Sequence, residues 1–352
     1  MRALRLHGPR DVRLDDVPEP LLRPGTVKVK VEWAGICGTD LHSYLHDALP
    51  EDYVNPTLAD PKPFVLGHEF SGRVVEIADD VPAALGLEEG TLIAAEPLVS
   101  DGTCAACLRG EYNLCDAFGF IGVMGGGGGM SEYVVIPAEK AHIVPAGITP
   151  ETAALVEPLT VSWHAVRRSG LGVGGTAVVV GGGPIGLGLL LAAKAQGAGF
   201  VAVSEVSPAR KEIARALGAD LVLDPTVEDV VARVHEAVPG GVDASFEASG
   251  AGKPAVDALI GVLRKGGTAV TVAAGRPAEF DPNRLMMAEI NFTGSFGYNG
   301  PDFPAVITAI SEGRLDPSPL VSDRIVLEEA PEKGYQELVD NAAAHVKVLV
   351  RP

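Results

Sequence analysis

The chain has 352 residues, 47% of them hydrophobic and 21% charged, which allows two domains and an ordinary globular core. Its formal net charge of −18 argues against nucleic acid or an anionic membrane as a partner. No apolar run reaches the roughly 18 residues of a membrane span, and residues 1–6 alternate like a strand with no signal-like core, so a cytoplasmic protein is expected.

In chain order, Val27-Lys28-Val29-Lys30-Val31 alternates with period two, as residues 72–77 do in part, and both predict strands. Loops are expected over residues 41–64 and 99–129, giving an all-β body with functional loops. Within the second, the five consecutive glycines at 125–129 read as a flexible turn without chemistry. Thr149-Pro150-Glu151 has the form of a helix start. From Thr176 the pattern becomes strand, Gly-rich turn, helix and strand, repeated. Strands are predicted at 176–180, 200–203, 219–223, 242–246 and 268–272, and a helix at 185–196. Short unbroken apolar runs suit strands buried on both faces, and their alternation with helices predicts a doubly wound parallel sheet, an α/β fold. The stretch from about Ser295 is mixed and ends in a strand at 346–350.

Gly181-Gly182-Gly183-Pro184-Ile185-Gly186 fits G-x-G-x-x-G between a buried strand and an apolar helix, the context a dinucleotide site requires. Gly181 permits the tight turn, Gly183 a close approach to the pyrophosphate, and Gly186 close helix–strand packing; Pro184 and Ile185 open the helix whose N–H groups face the phosphates. Glu205 ends the next strand, where a carboxylate bonds the ribose hydroxyls of NAD. It would repel the extra phosphate of NADP by about 4 kcal/mol at 4 Å and an effective dielectric of about 20. Arg210, Ser204 and Ser207 lie near enough in sequence to assist a phosphate, but NAD is the expected cofactor.

The four cysteines are Cys37, Cys104, Cys107 and Cys115. Such clustering in a cytoplasmic enzyme favours metal ligation over a disulfide framework. Cys37-Gly38-Thr39-Asp40-Leu41-His42, Gly67-His68-Glu69 and Glu157-Pro158 supply sulfur, imidazole and carboxylate ligands, a borderline-soft set that suits Zn²⁺. Asp101, Cys104, Cys107 and Cys115 form a second set, able to close around one zinc and pin a lobe. A redox C-x-x-C pair is the competing reading, but no thioredoxin-like βαβ context surrounds it.

Together these motifs resemble the zinc-containing medium-chain dehydrogenases over nearly the whole chain. The resemblance implies a GroES-like β-rich catalytic domain over residues 1–155, with 296–352 returning to it, and a Rossmann domain over 156–295. It assigns Cys37, His68, Glu69 and Glu157 to a catalytic zinc, Glu69 and Glu157 competing for one place. It assigns Asp101, Cys104, Cys107 and Cys115 to a structural zinc; the family normally has four cysteines there, and Asp101 stands at the first. Thr39 and His42 are implied as a proton relay, with a turn cap and a loop histidine as the ordinary alternatives, and Asp40 as the group that orients His68. Glu157-Pro158, Val65-Leu66-Gly67-His68-Glu69 and the tail containing Gly334-Tyr335 and Lys347 are most similar to the polyol and butanediol branch. That branch implies NAD-linked oxidation of a secondary alcohol or vicinal diol, foremost 2,3-butanediol to acetoin, by a homodimer or homotetramer with a small alcohol or ketone as its partner. Sorbitol, threonine or glucose oxidation on the same scaffold is the nearest rival. A metal-free quinone reductase and a non-catalytic cofactor-binding protein are disfavoured by the intact ligands at 37, 68 and 157.

Overall fold

The computed structural model describes residues 1–46 and 49–352. The chain divides into two compact units: Met1–Glu157 with Asn299–Ser311 and Val321–Pro352, and Pro158–Tyr298 with Glu312–Leu320. The stretch expected to return to the first unit as one piece is therefore split. Glu312–Leu320 stays with the second unit because Leu315 is buried there and the Arg314 guanidinium donates to Ala195 O, at the end of a helix of that unit.

The first unit is built on a seven-stranded sheet. Its path runs Val321–Val326, Lys347–Arg351, Thr26–Gly35, Glu69–Ile77, Leu92–Ala95 and Ala141–Ile143, with Tyr133–Pro137 also paired to Thr26–Gly35. Valines at alternate positions of Thr26–Gly35 (27, 29 and 31) are buried in the core together with Phe70, Ile93 and Val348. Lys28 between them is buried as well, its ammonium paired with Glu19 and Glu76. The last strand, Lys347–Arg351, enters beside Thr26–Gly35 with Leu349 opposite Gly35, so the chain's end and its beginning share one core.

Two expectations for this unit fail. The stretch from residue 41, expected as loop, begins inside a helix, Gly38–His46, with Asp40 in its first turn and Tyr44 packed into the core. A carboxylate at that end of a helix is favoured by the unpaired N–H groups there. Nor are the five glycines a flexible turn. Gly129 N–H donates to Gly67 O and Gly126 N–H to an Asp60 carboxylate oxygen, both at 2.7 Å. A Cβ on Gly128 would stand 2.4 Å from Leu66 O, and one on Gly129 2.4 Å from Phe70 Cβ. Glycine is required because the backbones pack against each other, and tertiary packing overrides its usual freedom.

In the second unit six parallel strands lie in the order Leu221–Leu223, Phe200–Ser204, Thr176–Val180, Val242–Glu247, Leu263–Thr271 and Asn291–Gly294. The first strand in sequence, Thr176–Val180, lies between its successor and the fourth. That reversal opens a crevice at the carboxyl ends of the strands, the place where open α/β sheets bind ligands. Its apolar core is continuous, from Val178 and Ala202 to Leu259 and Ala269. No helix of the described residues is long and apolar enough to cross a membrane.

Candidate active site and metal centres

Register brings the first constellation together. Gly35 pairs with Glu69 across the antiparallel strands, so Cys37 and His68 emerge just beyond the paired ends of these two strands. The ligand atoms of Cys37, His68 and Glu69 all lie within 4.8 Å of one another; among the described residues Glu157 is not one of that group. Glu157 is buried in the first turn of Val156–Ser169. Glu69 takes its place beside Cys37 because Gly35 has no side chain: a Cβ there would lie 2.1 Å from a Glu69 carboxylate oxygen.

Both Glu69 oxygens accept from Lys347 Nζ at 2.6 Å, and the same ammonium donates to Ile36 O at 3.1 Å. Lys347 is 3% exposed and the Glu69 side chain fully buried, so each charge depends on the other. Burial alone would lower the Lys347 pKa, but the charges of Glu69 and Cys37 outweigh it and raise it. Asp40 accepts from Cys37 N–H at 2.9 Å through one oxygen. Its other oxygen stands 3.3 Å from His68 Nδ1, close but not aligned as a hydrogen bond. Burial of His68 opposes its charge, yet Asp40 and Cys37 overcome that and raise its pKa well above the usual value.

The Cys37 sulfur, the His68 imidazole and the Glu69 carboxylate thus converge within 4.8 Å, with Asp40 behind the imidazole and Lys347 behind Glu69. Sulfur, nitrogen and carboxylate oxygen so converging are the donor set of Zn²⁺, and a carboxylate behind the imidazole is its usual support. The residues present fit the metal. Thr39 is exposed, its Oγ1 3.8 Å from Cys37 Sγ. His42 is exposed one turn on, its ring 4.9 Å from that of His46.

Asp101, Cys104, Cys107 and Cys115 form the second group of ligand atoms within 4.8 Å. Here backbone amides do what side chains do in the first. Asp101 N–H and Ala117 N–H each reach Cys115 Sγ at 3.4 Å, and the amides of Cys107 and Asp116 lower the Cys104 thiol. Asp101 accepts from Thr103 N–H at 2.7 Å and Cys104 N–H at 2.9 Å, both at the same oxygen. Those amides bring its pKa down to about 2. Burial pushes the Cys107 thiol up to about 11. This set fits a metal too, with Asp101 standing as an ionised oxygen donor.

In the second unit Gly181 adopts φ +100° and presses on Ser249, where a Cβ would come within 2.8 Å. Gly186 sits so close to Gly181 O that a Cβ would be 1.8 Å away. Helix Pro184–Ala195 follows, with Gly183 as a cap that has no side chain to fill its first-turn N–H groups and Pro184 in the first turn. Ile185 belongs to that turn, its carbonyl accepting from Ser162. Above Gly183 a Cβ would meet nothing nearer than the Arg210 guanidinium, at 3.9 Å. Glu205 accepts from Gly182 N–H at 2.6 Å and Ser207 N–H at 2.7 Å, one at each oxygen. A carboxylate offers about four lone-pair directions, so acceptor capacity remains for a ribose diol. Burial lowers the Arg210 pKa against the opposing effect of Glu205.

Residues 23–146 match the family model of the alcohol dehydrogenase GroES-like domain, and 184–312 that of the zinc-binding dehydrogenase. An (R,R)-butanediol dehydrogenase of Bacillus subtilis (strain 168) is 39% identical, with all of both chains covered. The crystal structure of the Bacillus subtilis 2R,3R-butanediol dehydrogenase superposes with a TM-score of 0.92 over 100% of this chain and 99% of that one. The chain belongs to the zinc-binding alcohol dehydrogenases. A sorbitol dehydrogenase of Bacillus subtilis (strain 168) is 31% identical, covering 100% of this chain and 97% of its own.

Two side chains of this zinc-binding dehydrogenase were given no role by sequence reasoning. Lys347 lies in a strand buried over Lys347, Val348, Leu349 and Val350, and a lysine inside so apolar a run was the available signal. Tyr335 is fully buried, its ring 5.5 Å from Tyr44, and its hydroxyl has no hydrogen-bond partner among the described residues. Burial, with the charges of Asp40 and Cys37, raises its pKa well above the usual value and keeps the phenol protonated.

Proposed function

We propose that the enzyme oxidises a secondary alcohol or vicinal diol with NAD, foremost 2,3-butanediol to acetoin, and runs the reaction in reverse on the ketone. The observation that carries this is the convergent Cys37–His68–Glu69 group, set in a chain 39% identical over its whole length to an (R,R)-butanediol dehydrogenase. Cys37, His68 and Glu69 would hold the catalytic zinc, and Asp101, Cys104, Cys107 and Cys115 a structural one. When bound, zinc supplies Lewis acidity to the alcohol oxygen and NAD supplies the hydride acceptor.

The chain's own residues do the rest. Asp40 keeps the His68 ring in its orientation and leaves its far nitrogen to the metal. Lys347 fixes Glu69 and balances its charge. Thr39, next to Cys37, accepts the alcohol proton at its hydroxyl oxygen as its own proton passes on, and exposed His42 delivers the proton to solvent. Glu157 is the remaining carboxylate of the set and takes the second-carboxylate role. Gly181, Gly183, Pro184, Ile185 and Gly186 would carry the pyrophosphate on the helix N-terminus, and Glu205 the ribose hydroxyls of NAD, with Arg210 beside the turn. A cytoplasmic location and an assembly of two or four copies accompany this reading. Edge strand Asn291–Gly294 offers its unpaired side to a second copy.

Initial rates of NADH formation with (2R,3R)-butanediol, meso-butanediol, sorbitol and threonine, before and after zinc removal, test it. Fast zinc-dependent oxidation of a butanediol is expected. Turnover of sorbitol alone would keep the chemistry and move the substrate to the second reading, which the 31% identical sorbitol dehydrogenase favours. A clear preference for NADP would remove the role given to Glu205.

A further inference from the structure

The segment leaving the cysteine lobe is built around the residues that lead into strand Glu69–Ile77, His68 among them. Strand Leu98–Val99, which leads into Asp101, pairs with Gly119–Phe120, which follows Cys115; Leu98 lies opposite Phe120 and Val99 opposite Gly119. Phe120 places its ring 5.0 Å from the His68 imidazole. Residues 121–130 then wrap the backbone of residues 66–70. Gly129 N–H donates to Gly67 O at 2.7 Å and Met130 N–H to Leu66 O at 2.9 Å. A Cβ on Gly122 would stand 2.1 Å from Gly67 O and 3.0 Å from His68 N. One continuous segment therefore has the cysteine lobe at one end and the backbone and ring of His68 at the other, all within one compact unit.

The lobe itself has little core. Between Asp101 and Cys115 only Ala106, Asn113 and Cys115 are buried. A stretch with so few buried contacts opens at low cost unless something ties its ends. Four convergent ligand atoms are such a tie, in addition to the Tyr112–Glu96 hydrogen bond, and both strands of the ladder leave from it.

We propose that the metal of the cysteine lobe sets how firmly the Cys37–His68–Glu69 site holds its own metal, through the Leu98–Val99 and Gly119–Phe120 ladder and the glycine segment behind His68. Phe120 and the glycines are positioning residues, acting through His68. The inference rests on both clusters being zinc sites.

Zinc release to excess chelator tests it, followed in the wild type, in a Cys104→Ser/Cys107→Ser variant and in Gly119→Ala. The new Cβ at 119 would meet Val99 and Leu58 side-chain carbons at 2.8 and 2.9 Å, spreading the ladder while leaving both ligand sets intact. The catalytic ion is identified as the one missing from Cys37→Ala. Its release is expected to be at least about tenfold faster in both variants, and the visible absorption of the cobalt-substituted site to shift. Release at the wild-type rate in either variant overturns the coupling. If the double variant does not fold, Gly119→Ala decides alone. Fewer than two zinc ions in the wild type, or both retained in Cys37→Ala, would instead overturn the zinc reading, and the coupling with it.

Discussion

The two metal-ligand groups of the first unit solve one problem in opposite ways. The Cys37–His68–Glu69 group gathers where the paired strands Thr26–Gly35 and Glu69–Ile77 meet, with side chains from elsewhere in the chain beside it: Asp40 at His68, Lys347 at Glu69. The lobe group comes from one stretch of chain, with Asp101 exposed and Cys104 and Cys107 half-buried, and amides of that same stretch reach the Cys115 sulfur. The lobe's ligand set is thus local in sequence. The Cys37–His68–Glu69 group takes part of its support from across the chain, Lys347 reaching Glu69 over 278 residues.

The strongest way to sharpen that contrast is Lys347→Met. It leaves the Glu69 carboxylate buried without its partner and should cost about 3–5 kcal/mol of stability. A fall in the urea midpoint with zinc still held at the lobe would show that the side-chain charge serves one group alone. Next in size, Asp40→Asn should weaken zinc at the catalytic group about 10–100-fold while leaving the lobe unchanged. Chelator competition on the two ions measures it, and equal weakening of both would break the contrast.

The difference in locality also decides what could be seen in the sequence. The spacing of Asp101, Cys104, Cys107 and Cys115 and of the glycines from 181 to 186 is itself the geometry, so those motifs were legible. Cys37, His68 and Glu69 were legible by their order beside a dinucleotide fold. Lys347 was not, because it meets Glu69 from 278 residues away, and a lysine in a terminal strand ordinarily points to solvent. Helix Gly38–His46 was hidden by its shortness, its start fixed by an Asp40 contact that spacing does not reveal. The glycines at 125–129 misled because local flexibility and tight backbone contact call for the same residue.

The smallest effect expected is at a third buried cluster, which binds the lobe to the sheet by side chains alone. Glu96 accepts from Tyr112 Oη, Lys140 Nζ and His142 Nε2, each at 2.7 Å. Burial would raise its pKa, but His142 and Lys140 prevail and hold it below its ordinary 4.5. A depressed carboxylate contributes stability that is complete above 4.5 and lost as pH falls through the lower folded value. Glu96→Gln should therefore cost about 1–2 kcal/mol near neutrality, with the two proteins converging in acid. Denaturation midpoints against pH check this; a constant gap down to strong acid would contradict it.

The central claim is that one ion is held by Cys37, His68 and Glu69 and serves the reaction, and that the other is held by the lobe. Metal analysis of the wild type, Cys37→Ala and Cys104→Ser, with butanediol oxidation measured on the same samples, tests it most directly. The account predicts two zinc ions per chain in the wild type and one in Cys37→Ala. Turnover in Cys37→Ala should fall by more than about 1,000-fold, because Lewis-acid stabilisation is worth several kcal/mol. Cys104→Ser should lose zinc from the lobe and keep most of its turnover. Two zinc ions and normal turnover in Cys37→Ala would contradict it.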